Sequence, residues 1–284
     1  MRMKWGARTR NPMAKLTHAE LKAHDRAMSL VASEKTLSSD DIIDVADGYH
    51  EGATHANSAH SAFFTPWDLA ITFALEVPDG GRVLDLCAGI GVLSAAARVY
   101  HQHNGRHDFT LVELNPAYCE IARRLLPDAT VICGSIFDPA VQAQLAGERF
   151  DFAISNPPFG ARNTASGTGP RYTGRKQEYA VMDLAADYAR AGAFILPLAS
   201  APRRPTDERK APLDFAYDAY QKFVDETGIE ILPNLGIDTS FADNLWRGTK
   251  IKTEIALCDF DAAHRRRLMT AFDDGDQRGL ALAA

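Results

Sequence analysis

The sequence predicts an α/β protein: a seven-stranded, mainly parallel sheet with an antiparallel last strand, helices on both faces and an N-terminal helical extension. Three observations lead there. From Arg82 onward, short runs rich in Val, Ile, Leu and Phe alternate with stretches of helix length. Those runs are apolar almost throughout, as strands covered on both faces are, rather than at every second residue. The composition, 284 residues with 46% hydrophobic and a formal charge of −6, suits one large globular unit with appendages.

Taken in order, "LTHAELKAHDRAMSLV" places Thr17 and Glu20 at capping-box spacing, and Leu21, Met28 and Val31 recur at helical intervals. "SSDDIIDVADGY" predicts a second short helix, and "HEGATHANSAHS" a loop. Residues 1–60 therefore form a helical extension that packs on, or lids, the α/β domain. The strand runs are "RVLDLC", "FTLVEL", "TVICGS", "FDFAIS", "GAFILPL", "GIEILPNL" and "KIKTEIALCDF". Helices are expected in "VLSAAARVY", "PAYCEIARRLL" and "EYAVMDLAADYAR". The last two strands are spaced differently, which suits an antiparallel seventh strand. Residues 61–262 make the α/β domain. Residues 263–284 form a tail, partly helical and then frayed, in which "AHRRRL" reads as a solvated helix face.

No apolar run is long enough to span a bilayer, and no secretory leader is visible. Cys87, Cys119, Cys133 and Cys258 form no CxxC pair, and three sit in apolar runs. Reduced, mostly buried thiols in a cytoplasmic protein are the expectation. His50, His55 and His60 are spaced by five, which suits neither one helix face nor a compact zinc knuckle, so no metal site is expected. Mild acidity disfavours nonspecific coating of nucleic acid but permits a local basic groove.

The chemistry gathers at strand ends. "VLDLCAGIG" runs from a buried strand into a helix, so Asp85, Cys87, Ala88, Gly89 and Gly91 expose backbone N–H groups to a ligand. The third glycine of a dinucleotide fingerprint is missing. Glu113 and Leu114 close the second strand, where a carboxylate suits ribose hydroxyls. In "GSIFD", Ser135 or Asp138 with Ile136 and Phe137 offer an edge and a face for adenine. The fourth strand ends in Asn156-Pro157-Pro158-Phe159, and "FFTP" (Phe63, Phe64, Thr65, Pro66) lies upstream of the glycine loop. Two prolines end a strand abruptly, because they supply no ladder N–H.

In these motifs and their order the chain resembles the class I S-adenosylmethionine-dependent methyltransferases, which are Rossmann-like, and among them those acting on N6 of adenine. The resemblance spans Ser61 to Phe260. Cys87 departs from it, standing where many class I enzymes have glycine. It implies S-adenosylmethionine as cofactor, held by Phe64, Thr65, Pro66, Asp85, Cys87, Ala88, Gly89, Gly91, Glu113, Leu114, Ser135, Ile136 and Asn156. It implies catalysis at Asn156, Pro157, Pro158 and Phe159. An exocyclic amino group is a poor nucleophile because its lone pair is delocalised. The Asn156 side-chain carbonyl and the Pro157 backbone carbonyl would accept its hydrogens, with Phe159 stacking on the base.

A duplex substrate then requires base flipping. The segment "GARNTASGTGPRYTGRKQEY" carries Arg162, Arg171, Tyr172, Arg175 and Lys176, expected to act as a mobile clamp on the nucleic-acid backbone. "APRRPTDERKAP" is a second basic segment. Trp246 with Arg247 is expected at the final turn, where a packed tryptophan is the plainer expectation than a substrate contact. "FFTP" favours DNA over RNA. Asn-Pro-Pro-Phe-Gly also resembles modification subunits of type I restriction systems and some ribosomal RNA adenine methyltransferases. Little chain remains for target recognition, so specificity is loose, comes from a partner, or is read by the N-terminal region. The alternative is a protein glutamine N5-methyltransferase of the release-factor-modifying type; Phe159 and "FFTP" count against it.

Overall fold

The computed structural model describes residues 16–50, 63–160, 168–201, 214–232, 237–247 and 249–269. One seven-stranded sheet has the order β3-β2-β1-β4-β5-β7-β6. The strands are β1 (Gly81–Leu86), β2 (His107–Glu113), β3 (Thr130–Cys133), β4 (Phe150–Ser155), β5 (Ala189–Pro197), β6 (Ile231–Leu232) and β7 (Thr253–Asp259). β1 to β5 are mutually parallel, and β7 runs antiparallel between β5 and β6. This is the Rossmann-like architecture expected of the sequence, with one refinement: the reversed strand is inserted rather than added at the edge.

The helices are α1 (His18–Ala32), α2 (Ser39–Gly48), α3 (Trp67–Phe73), α4 (Val92–Tyr100), α5 (Pro116–Leu125), α6 (Pro139–Leu145), α7 (Gln177–Ala185), α8 (Asp214–Thr227) and α9 over 260–269. Alternate residues of β1 feed two cores, as a pleated strand buried on both faces must. Val83 joins a cluster that includes residues of α1 to α5, whereas Leu84 and Leu86 join one built from α6 to α9. None of these helices is long and apolar enough to cross a membrane.

The capping box at Thr17 and Glu20 forms as expected. The predicted buried stripe on α1 does not. Leu21 and Met28 are exposed, while His24 and Ala27 are buried. His24 faces inward because its ring packs on Tyr49 and its Nδ1 accepts the His50 N–H at 3.1 Å. Ile42, Val45 and Tyr49 share the core of the main sheet. Each of the two helices is tied at its C-terminal end. Arg124 of α5 donates to the carbonyls of Val31, Ser33 and Lys35, and Arg247 donates to those of Asp47 and Tyr49.

No motif in the sequence announces α8, and β6 begins at Ile231 rather than at the start of "GIEILPNL", whose last three residues lie outside the described residues. Nor is "AHRRRL" merely solvated: Arg266 and Arg267 donate to the carbonyls of Gly228 and Thr227 at the end of α8. The four cysteines are free; Cys119 and Cys258 are buried, Cys87 is half-buried and Cys133 is exposed.

Candidate active site

The ends of β1, β2 and β4 meet at one edge of the sheet, because parallel strands present their C-terminal ends together. After β1 the chain turns through Cys87 (φ 62°), Gly89 (φ 58°) and Gly91 (φ 84°), all left-handed. A Cβ on Gly89 would lie 2.9 Å from the Phe64 ring, so the glycine lets "FFTP" close onto the loop. Gly89 N–H donates to Glu113 Oε2 at 2.8 Å and Asn115 N–H to Oε1 at 2.7 Å. These two bonds fix the nearly buried carboxylate at the strand end.

Asp85 is fully buried. Its Oδ2 accepts the Ser94 hydroxyl at 2.6 Å, and its Oδ1 has no hydrogen-bond partner. Burial, aided by the nearby Glu113 charge, raises its pKa to about 7. Burial likewise pushes the Cys87 thiol up.

Cys87 is the described non-glycine residue with a positive φ. The left-handed region costs an L-residue about 1–2 kcal/mol, while glycine costs about 0.5–1 kcal/mol in unfolded-chain entropy. Cys87→Gly is therefore expected to unfold within a few degrees of the parent, and Cys87→Val, β-branched, clearly lower. A thermal melt checks this; the reverse order would mean that the side chain's packing outweighs its backbone strain.

β4 delivers the "NPPF" turn. The Ser155 hydroxyl donates to the Leu86 carbonyl, joining the ends of β4 and β1. Asn156 Nδ2 donates to the Phe63 carbonyl at 3.2 Å and to Thr65 Oγ1 at 2.9 Å. A backbone carbonyl only accepts, which orients the amide. Asn156 Oδ1 is left buried with no partner. Pro157 is buried, Pro158 exposed and Phe159 half-buried. The Phe159 ring meets Trp246 edge-on at 6.4 Å. Trp246 is buried and its indole N–H has no partner. It is packed, as expected, but against the very ring assigned to the base.

Other assignments fall differently. Leu114 is exposed at the end of β2. Ile136 is buried in the core, leaving half-buried Phe137 as the accessible apolar face. The Asp138 carboxylate caps α6 through the Ala140 N–H, and Ser135 Oγ accepts the Phe137 N–H.

The clamp is corrected most. Tyr172 lies in the core against Tyr179 and Phe223. Arg171 folds back onto α7: Nε bonds the fully buried Asp183 at 2.7 Å and Nη2 bonds Asp187 at 2.7 Å. Asp183 Oδ2 also accepts the N–H groups of Arg171 and Tyr172. Lys176 donates to Ser200 at 2.9 Å. Arg175 is exposed. Residues 168–176 are thus a built part of the protein. Arg162, His55, His60 and the second basic segment beyond Ala201 lie outside the described residues. Among those described, no group of three side chains could hold a metal.

Arg171→Ala would strand a buried carboxylate, and losing charged hydrogen bonds of this kind costs about 1.5–3 kcal/mol. A lower melting temperature is expected in a thermal melt. Parental stability would mean that the Arg171–Asp183 pair does not hold this segment in place.

Residues 69–168 match the family model of the methyltransferase small domain. A ribosomal RNA small subunit methyltransferase C of Klebsiella pneumoniae is 38% identical over 85 residues, covering 30% of this chain and 23% of that protein. Its Escherichia coli counterpart is 38% identical over 79 residues, covering 28% and 22%. The chain thus matches under a quarter of the length of these curated relatives. In structure it resembles a Listeria monocytogenes protein assigned to the class I S-adenosylmethionine-dependent methyltransferases, with a TM-score of 0.55 at 14% identity over 86% of this chain and 81% of that one. It also resembles the methyltransferase subunit of a type I restriction-modification system from Streptococcus thermophilus, with a TM-score of 0.50 at 18% identity, covering 81% and 50%.

The fold is that of the S-adenosylmethionine-dependent methyltransferases. The residues present would suit S-adenosylmethionine. Gly89 and Gly91 turn the chain in left-handed conformations at the mouth of β1, and Glu113 is fixed beside them by the Gly89 and Asn115 N–H groups.

Proposed function

We propose that the protein methylates the exocyclic N6 amino group of adenine in nucleic acid. The observation that carries this reading is Asn156 Oδ1, a buried carbonyl with no partner, three residues before the Phe159 ring. An unpaired buried acceptor costs stability unless a ligand satisfies it. An amino hydrogen of the acceptor would do so. Asn156, held by Phe63 and Thr65, would then draw the nitrogen's lone pair out of conjugation without moving.

When bound, S-adenosylmethionine supplies an electrophilic methyl group on sulfur. Glu113 and the Gly89 turn would position it, and Asn156 and Phe159 would aim the nitrogen. Held by Asn156 and Phe159, the amino nitrogen would take up that methyl in place of one hydrogen, whose proton would leave to solvent. The same carbonyl would serve a glutamine amide, but the Phe159–Trp246 pair favours a flat ring.

"FFTP" argues for DNA, whereas the curated relatives are named for ribosomal RNA, and that naming favours RNA as the second reading. Arg175 is the exposed cation we assign to the phosphate backbone. A partner supplying specificity and a cytoplasmic location complete the proposal. Labelled S-adenosylmethionine with separate DNA, RNA and protein pools, followed by nucleoside analysis, tests it. Label in N6-methyladenine of either nucleic acid supports the reading. Label in protein glutamine, or on another base, overturns it.

A further inference from the structure

We infer that Glu178, a buried carboxylate at the start of α7, is a positioning residue that holds the Asn156–Phe159 turn in its working geometry through Gly160. The inference rests on the methyl-transfer reading above. The turn is pinned upstream by Ser155 and Asn156 and has no regular secondary structure of its own. Its first downstream anchor is Gly160, held from both sides. Its N–H donates to Glu178 Oε2 at 3.0 Å, and its carbonyl accepts the Gln177 N–H at 3.0 Å.

Gly160 has φ 98°, yet a Cβ there would meet nothing within 4 Å. Space does not demand glycine at this position; the backbone bend does. Glu178 maintains that bend.

Every residue of α7 is buried, so an apolar side chain at position 178 would avoid the cost of burying a charge. Both Glu178 oxygens are instead committed. Oε1 accepts the Ser200 hydroxyl at 2.6 Å, and Ser200 in turn accepts from Lys176, whose Nζ lies 3.8 Å from Glu178. Tyr179 locks the same corner by donating to the Ser200 carbonyl at 2.6 Å. One carboxylate thus joins the turn after β4 to the turn after β5, both at the sheet edge where Asn156 and Phe159 stand. A shift of about 1 Å in such a turn costs roughly a hundredfold in rate, because attack needs near-linear geometry.

The test compares the parent with Glu178→Ala, Glu178→Gln and Ser200→Ala. It reads hydrogen exchange at the Gly160 amide, affinity for S-adenosylhomocysteine by calorimetry, and kcat on the nucleic acid that the parent methylates. For Glu178→Ala we expect Gly160 exchange at least about tenfold faster, kcat at least about tenfold lower and cofactor affinity within about twofold. Glu178→Gln keeps one oxygen for Gly160 and should recover most of both losses. Should the alanine variant fail to fold, Ser200→Ala should show the same split, a few-fold in size. Parental kcat in the variants, or cofactor affinity falling in step with kcat, overturns the assignment. If the parent methylates no nucleic acid, the functional reading fails instead. Gly160 exchange then decides by itself whether Glu178 holds the turn, and equal exchange in parent and variants overturns that.

Discussion

Asn156→Ala is expected to lower kcat by about 10²- to 10³-fold while cofactor affinity stays within about twofold. That is the usual scale for deleting one preorganised hydrogen-bonding group at a reacting centre. Preorganisation is visible before any substrate arrives, since Nδ2 is already committed to Phe63 and Thr65 and Oδ1 waits buried. Thr65→Val is the graded companion. It leaves the carbonyl in place but removes one of its two restraints, so a loss of about tenfold is expected. Steady-state rates beside calorimetry separate the effects. Near-parental turnover of Asn156→Ala would remove Asn156 from the mechanism.

The second large effect is on the cofactor. Glu113→Ala should weaken S-adenosylmethionine binding by about 1.5–3 kcal/mol, the worth of charge-assisted hydrogen bonds. Two causes act together: the ribose loses its acceptor, and the Gly89 and Asn115 N–H groups lose theirs. Because the glycine loop loosens as well, Glu113→Gln, which keeps one acceptor oxygen, should lose less than alanine. Unchanged affinity in Glu113→Ala, measured by calorimetry, would refute the assignment.

Much of this architecture is legible from local pattern. β4 and α4 occupy the expected residues, and the glycine loop, Glu113 and the "NPPF" turn lie at adjacent strand ends, because each is announced by a short motif. Local pattern fails wherever a residue's place depends on a distant partner. Arg171 and Tyr172 sit in a stretch rich in Gly, Ser and Thr, which reads as solvated. Their fate is set by Asp183, on a helix whose buried face the loop covers. The signal is present: "YAVMDLAA" is apolar all round, so an acid within it needs a partner. The same reasoning singles out Glu178. Leu21 and Met28 mislead because periodicity marks a face without saying which neighbour it meets. Thr65 reads from its motif as a cofactor contact, and its bond to Asn156 joins the segment before α3 to the end of β4, which no local pattern connects.

The insertion of β7 between β5 and β6 bears on how the chain is made. Synthesis is vectorial, and the outer edge of β5, ending at Pro197, stays unpaired until Thr253–Asp259 leaves the ribosome. Arg247, which ties down the end of α2, also emerges late. A nascent or prematurely terminated chain therefore carries an open, apolar strand edge of the kind that templates aggregation. Recombinant fragments ending before Thr253, including one cut to the matched segment, should collect in inclusion bodies.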